Sequence, residues 1–218
     1  MKRFQFITLL LAVLLLPHLL IANPPFKAGI NYKAITPPAD FAKQIEDSPK
    51  VSVIEFFSYG CPACYALEPH LEKWLAEHGD HVEFKRVPVI FESGWDNLAK
   101  AYYTAVALDK QATLSPALFA AIHQDHQDLT QVNQIEKVFA AHGIDKDTFN
   151  STFNFSPGID AQIAHALQMR ADFRVIQVPS VIINGKYLVT PQTAGSFEAM
   201  PEVISYLVAK ESASHPHE

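Results

Sequence analysis

Val51-Ser52-Val53-Ile54-Glu55-Phe56-Phe57, then Ser58-Tyr59-Gly60, then Cys61-Pro62-Ala63-Cys64-Tyr65, is the stretch whose reading decides the fold. Val51 to Phe57 is nearly all apolar and rich in β-branched and aromatic residues, the pattern of a strand buried on both faces. Cys61 to Gly79 reads as a helix. Pro62 sits where a first-turn proline is tolerated, Leu67, Leu71, Trp74 and Leu75 form an apolar stripe, and Gly79 ends it. Pro69 lies inside this helix, lacks an N–H and is expected to kink it. His81 to Ile90 reads as a second strand, which makes a βαβ unit with a parallel pairing.

Further along, the periodicity turns helical from Trp95 to about Phe173, with helices expected over 96–109, 116–126, 131–142, 146–154 and 157–172. Ser115-Pro116, Thr130, Asp145 and Ser156-Pro157 place capping side chains before four of them, and Gly143 supplies a stop. Strand character returns at Ser180-Val181-Ile182-Ile183. Asn184-Gly185 joins it to Lys186-Tyr187-Leu188-Val189-Thr190, a hairpin signal because both turn positions favour positive φ. Ser196 to Lys210 reads as a closing amphipathic helix, after a Pro-rich approach at Pro24-Pro25 and Pro37-Pro38 that precedes the first expected strand. The pattern is α/β with a helical insertion: one domain split between 23–94 and 174–218, and a helical subdomain over 95–173.

Composition removes several classes. The 218 residues carry 17 Lys+Arg against 23 Asp+Glu, a net charge of −6, so there is no basic footprint for nucleic acid. At 49% hydrophobic and 18% charged the chain is not intrinsically disordered. Two cysteines make at most one bridge, which excludes a disulfide-dense scaffold. Lys2 and Arg3 precede an apolar run from Phe4 to Leu16 that resumes at Leu19-Leu20-Ile21-Ala22 after Pro17 and His18. This reads as an export signal over 1–22, cut after Ala22; the rival is an uncleaved anchor, which Pro17 and His18 weaken. Either reading puts the body of the protein outside the cytoplasm, and loss of Lys2 and Arg3 takes the net charge to −8.

Both cysteines lie in one Cys-x-x-Cys at a helix start. Unpaired N–H groups and the positive end of the helix dipole favour an anion there, and the thiolate is the reactive form of cysteine. Cys61 is therefore expected to be the exposed nucleophile with a lowered pKa, and Cys64, one turn in, the buried thiol that resolves a mixed disulfide. An inert structural bridge would close almost no loop. A zinc site from Cys61, Cys64, His78 and His81 approaches finger spacing, but here the cysteine pair starts the helix and Gly79 ends it between the two histidines. Copper(I) on the thiolates with a remote His165 has no Met-rich or His-rich stretch behind it.

Glu55 is the second informative residue. A carboxyl in so apolar a strand is costly unless paired or protonated, and its place beneath the helix start suits it to exchange a proton with Cys64. The plainer expectation, compatible with the first, is an ion pair with Lys85 on the adjacent strand. The third is Val178-Pro179, where a proline stands just before a strand.

With these residues in place the chain resembles the thioredoxin superfamily, and within it the DsbA family of exported thiol–disulfide oxidoreductases. Glu55-Phe56-Phe57-Ser58-Tyr59-Gly60-Cys61-Pro62-Ala63-Cys64-Tyr65 carries the likeness, together with Val178-Pro179, Ile183-Asn184-Gly185-Lys186-Tyr187, Pro69 and the order of elements. The resemblance implies a thioredoxin-like fold with an inserted helical subdomain and a redox-active Cys61–Cys64 pair. Cys61 would be the exchanging thiol, Cys64 the resolving one and Glu55 a buried acid. Pro179 would be a cis-proline facing the cysteines, and Val178 would pair its backbone with an extended substrate peptide. It implies reduced exported proteins as substrates in the periplasm, a quinone-linked membrane protein of the DsbB type as re-oxidant, and no further cofactor. One departure stands out: the family's usual Pro-His between the cysteines is Pro62-Ala63 here, which predicts a weaker oxidant.

Two other functions use the same residues differently. A reductase or isomerase would reverse the flow, although residues 23–50 are too few for the dimerisation domain of DsbC-type isomerases. A client-binding module would expose Phe119, Phe139, Phe149, Phe153 and Phe155, whereas their helical spacing predicts core packing.

Overall fold

The computed structural model describes residues 25–46 and 48–214, so the expected export signal over 1–22 lies outside the described residues. In chain order the elements are β1 (Lys33–Ala34), α1 (Ala39–Glu46), β2 (Val51–Phe57), α2 (Pro62–His78), β3 (Val82–Pro88), α3 (Trp95–Ala107), α4 (Gln111–His123), α5 (Val132–Ala141), α6 (Lys146–Phe155), α7 (Pro157–Asp172), β4 (Ser180–Ile183), β5 (Tyr187–Val189), α8 (Pro191–Ala194) and α9 (Met200–Ser214). Among the described residues no helix is long and apolar enough to cross a membrane.

The sheet runs β1-β5-β4-β2-β3. β2 and β3 are parallel, with α2 as the crossover, while β4 lies antiparallel on the other side of β2 and β5 and β1 follow antiparallel. Every residue of β2 is buried, as expected for a central strand covered on both faces. Strand alternation then sorts the layers. Val51 and Val53 face a core made with Leu67, Leu71 and Trp74 of α2 and Val203, Ile204 and Leu207 of α9. Ile54 and Phe56 face the opposite core, shared with the helices α3 to α7 that intervene between β3 and β4. This is a thioredoxin-like fold with a helical insertion.

Within the insertion, Phe119, Phe139, Phe149 and Phe153 are fully or almost fully buried, and only Phe155 stands open. Asp145 caps α6 through Thr148 N at 2.9 Å. Thr130 instead turns its amide to Asp128, and Ser156 makes no side-chain cap. α4 begins at Gln111 rather than 116, because the Lys110 carbonyl already accepts from the Leu114 amide at 2.8 Å and sets the first turn there. Pro116 is thus interior, and Ser115, expected as a cap, is buried and bonded elsewhere. β1 and α1 occupy the Pro-rich approach; the two-residue β1 carries no periodicity, whereas the helical spacing of Phe41, Ala42 and Ile45 in α1 went unread. α9 lies a few residues later than expected.

The hairpin turn follows its sequence signal, with Asn184 at φ 49° and Gly185 at φ 65°. A Cβ on Gly185 would also stand 2.8 Å from the Phe41 ring, so both conformation and space demand glycine. Gly185→Ala is expected to lower stability by about 1 kcal/mol or more, read as a lower urea midpoint at unchanged slope. An unchanged midpoint would show that the turn tolerates a side chain.

Candidate active site

β2 ends at Phe57, and the turn Ser58-Tyr59-Gly60 delivers the chain to Cys61 at the N-cap of α2, with Pro62 in the first helical position. Two short bonds fix the turn: Cys61 N donates to the Ser58 carbonyl at 3.1 Å, and Gly60 N to Ser58 Oγ at 3.2 Å. A Cβ on Gly60 would stand 2.5 Å from Trp95 Nε1, so the turn is packed directly on the helical insertion.

The two thiols are free and differ sharply in surroundings. Cys61 keeps 7% of its surface and Cys64 none. Cys61 is thus less open than expected of an exposed nucleophile, because Val178 faces it: Cys61 Sγ lies 3.5 Å from the Val178 carbonyl oxygen. The Val178–Pro179 peptide bond is cis. A hydrogen bond from the Cys64 thiol lowers the Cys61 pKa to about 7, with further help from the backbone amides of Cys64 and Ala63 and against the opposing effect of burial. Burial holds Cys64 well above the ordinary thiol range, and the neighbouring Cys61 sulfur and the Glu55 carboxyl add to the rise. The pair is therefore polarised, with the easier anion at the helix mouth.

Beneath it, Glu55 is fully buried on the α2 side of β2. Its partner is Arg86, not the expected Lys85. In the parallel register Glu55 lies opposite Arg86 and Ile54 opposite Lys85, and alternation sends those two pairs to opposite faces of the sheet. Arg86 Nε donates to Glu55 Oε2 at 2.8 Å, while Nη2 donates to Glu68 Oε1 at 2.9 Å and Glu72 Oε1 at 3.0 Å, two residues one turn apart on α2. Lys85 instead approaches Met169 Sδ at 4.0 Å.

Three carboxyls facing one guanidinium cannot all ionise without leaving net negative charge in a buried place. Burial accordingly raises Glu55 despite the nearby Arg86 charge, and pushes Glu68 up to about 8. Burial disfavours the Arg86 charge too, but Glu55 and Glu68 override it and hold the guanidinium protonated. Glu55 Oε1 and Glu68 Oε2 are buried without a hydrogen-bond partner, so neither is stabilised as an anion. The cluster thus places carboxyls whose pKa values burial raises below the cysteines.

The alternative metal ligands do not converge. His78 stacks on Trp74 with ring centroids 5.2 Å apart and places Nδ1 3.1 Å from the Trp74 carbonyl. His165 lines a cavity beside Lys85, Met169 and Phe173. Among the described residues no three His, Cys, Asp or Glu side chains stand close enough to hold a metal ion. Sequence reasoning did not single out Arg86, Glu68 or His123, whose Nε2 lies 2.8 Å from the Tyr59 carbonyl.

Comparison with known proteins agrees with this arrangement. A thioredoxin family model matches residues 46–202, more than half of the chain. The thiol:disulfide interchange protein DsbA of Burkholderia cepacia is 33% identical over 202 residues, covering 92% of this chain and 93% of the relative. Among solved structures, DsbA of Pseudomonas aeruginosa superposes with a TM-score of 0.77 at 32% identity, covering 87% of this chain and 96% of that one. The oxidoreductase DsbA of Xylella fastidiosa gives 0.75 at 29% identity, covering 88% and all of that chain. Fold and site define a disulfide oxidoreductase of the thioredoxin superfamily. Within it, the chain belongs to the DsbA family of thiol:disulfide interchange proteins, and its substrates are proteins that exchange disulfides.

The polarised pair predicts a single-site pH profile. Alkylation of the reduced protein by iodoacetamide should modify Cys61 alone, at a rate rising with pH through a midpoint at about 7 as the thiolate forms. Equal modification of Cys64, or a midpoint in the ordinary thiol range, would contradict the assignment of the easier anion.

Proposed function

We propose that this chain is a periplasmic dithiol oxidase that introduces disulfide bonds into exported proteins through Cys61-Pro62-Ala63-Cys64. The observation that carries the reading is the polarity of the pair: Cys61 titrates near 7 at the helix mouth, and Cys64 is held protonated beneath it. In the oxidised protein a substrate thiolate attacks the Cys61 sulfur. The Cys61–Cys64 bond breaks, a mixed disulfide forms on Cys61, and Cys64 leaves with the electron pair and takes a proton from the Glu55 cluster. A second substrate thiolate then attacks the substrate sulfur, which releases Cys61 as the helix-stabilised thiolate and leaves the substrate oxidised by two electrons.

Val178 and Pro179 form the substrate side of the site. In this reading the Val178 backbone pairs with an extended peptide, so that the client sulfur is brought to Cys61. Residues 23–94 and 174–218 act as the thioredoxin-like domain and 95–173 as the insertion, after an export signal over 1–22 cut behind Ala22. A quinone-linked membrane protein of the DsbB type would restore the disulfide. Ala63 supplies no cation to the thiolate, so the protein should oxidise less strongly than relatives with a histidine there.

Two variants test the roles. Cys64→Ser should accumulate mixed disulfides with client proteins, visible as adducts that disappear on reduction. Cys61→Ser should abolish oxidation of a reduced, unfolded substrate and form no adducts. Full oxidase activity in Cys61→Ser would remove this reading.

A further inference from the structure

Ser115, Phe119 and His123 stand four residues apart on α4 and so share one face. That face meets both flanks of the cysteine motif. Ser115 Oγ lies 2.6 Å from the Tyr59 hydroxyl, and the Phe119 ring packs edge-on against Tyr59 with centroids 4.9 Å apart. On the far side of the motif, the His123 ring stacks on Tyr65 at 4.8 Å and 12°, and Gln124 donates to the Tyr65 hydroxyl. Between these contacts His123 Nε2 reaches the Tyr59 carbonyl at 2.8 Å. A carbonyl can only accept, so Nε2 carries the proton and donates.

We propose that His123 is a positioning residue of the redox site, using this bond to hold the Tyr59–Cys61 turn so that the Cys61 sulfur stays over the first amides of α2. The Gly60 and Cys61 amides are satisfied locally through Ser58, whereas the Tyr59 carbonyl is anchored from another element of the fold. Without that anchor the Tyr59–Gly60 peptide can rotate and carry Cys61 away from the amides of Ala63 and Cys64. Position matters here because Pro62 and Ala63 bring no polar side chain to the sulfur. A misplaced helix mouth has no substitute close at hand.

The inference rests on the reading of Cys61 as the exchanging thiol, and its test separates the two. The thiolate absorbance of the reduced protein at 240 nm is followed against pH for the unaltered chain, His123→Phe and His123→Gln, with far-ultraviolet circular dichroism and thermal melts on each. His123→Phe keeps a ring against Tyr65 but loses the donor. It should raise the Cys61 midpoint by about half a pH unit or more, the size expected for loss of one hydrogen bond. His123→Gln keeps a donor and should stay within about 0.2 unit of the unaltered chain, much less than one hydrogen bond is worth. An unmoved midpoint in His123→Phe, even with a lowered melting temperature, would overturn the proposal, as would an equal rise in both variants. If the unaltered chain itself shows no thiolate forming near 7, the reading of Cys61 fails and takes the role of His123 with it.

Discussion

The hydrogen bonds that converge on the Cys61 sulfur, from the Cys64 thiol and from the backbone amides of Ala63 and Cys64, set the requirements that the surrounding structure meets. They act only if the chain turns sharply between a buried strand and a helix, so that the sulfur comes to rest at the helix mouth. β2 supplies the rigid approach, fully buried between two cores. Gly60 allows the turn to press against Trp95, and α2 is pinned from the far side by Trp74, whose Nε1 donates to Ser205 Oγ of α9 at 2.8 Å. The proposed oxidase role draws on the same bonds, because whatever favours the reduced thiolate makes the disulfide easier to reduce and so a better oxidant.

A second constraint is the proton. In the mechanism we propose, Cys64 cannot leave as a lasting anion in so buried a place, and the cluster under it supplies the proton. Arg86 bridges the sheet to α2 by holding Glu55, Glu68 and Glu72 together, and the half-exposed Glu72 connects the group to water. Ion pairs buried this deeply contribute little net stability, since the Coulombic gain mostly offsets desolvation. In the proposed mechanism their value lies in keeping an ionisable carboxyl beside a thiol that changes its charge in each turnover.

Much of this was legible in the sequence. An apolar β-branched strand, a Cys-Pro-x-Cys helix start and an Asn-Gly hairpin are local signals with local causes, and Val51–Phe57, Pro62–His78 and the turn at Asn184-Gly185 lie where they were expected. What failed depended on register, on long-range contact or, at α4, on a local backbone bond that the side chains do not signal. Choosing Lys85 over Arg86 as the partner of Glu55 was a slip of one residue, and in a strand one residue exchanges faces. α4 starts early because a backbone bond from Leu114 to Lys110 outweighs the Ser-Pro signal. β1 has two residues and draws its stability from pairing with β5, so no periodicity could reveal it. His123 carried no motif at all: it lies 62 residues from Cys61, and only the folding of the helical insertion against the turn brings it there.

The reduction potential of the Cys61–Cys64 pair, measured by equilibration against glutathione buffers, tests the central claim most directly. The oxidase reading predicts a value above that of thioredoxin, roughly −270 mV, even with Ala63 between the cysteines. A potential at or below the thioredoxin value would contradict the account, because the bonds converging on Cys61 would then give no oxidising bias.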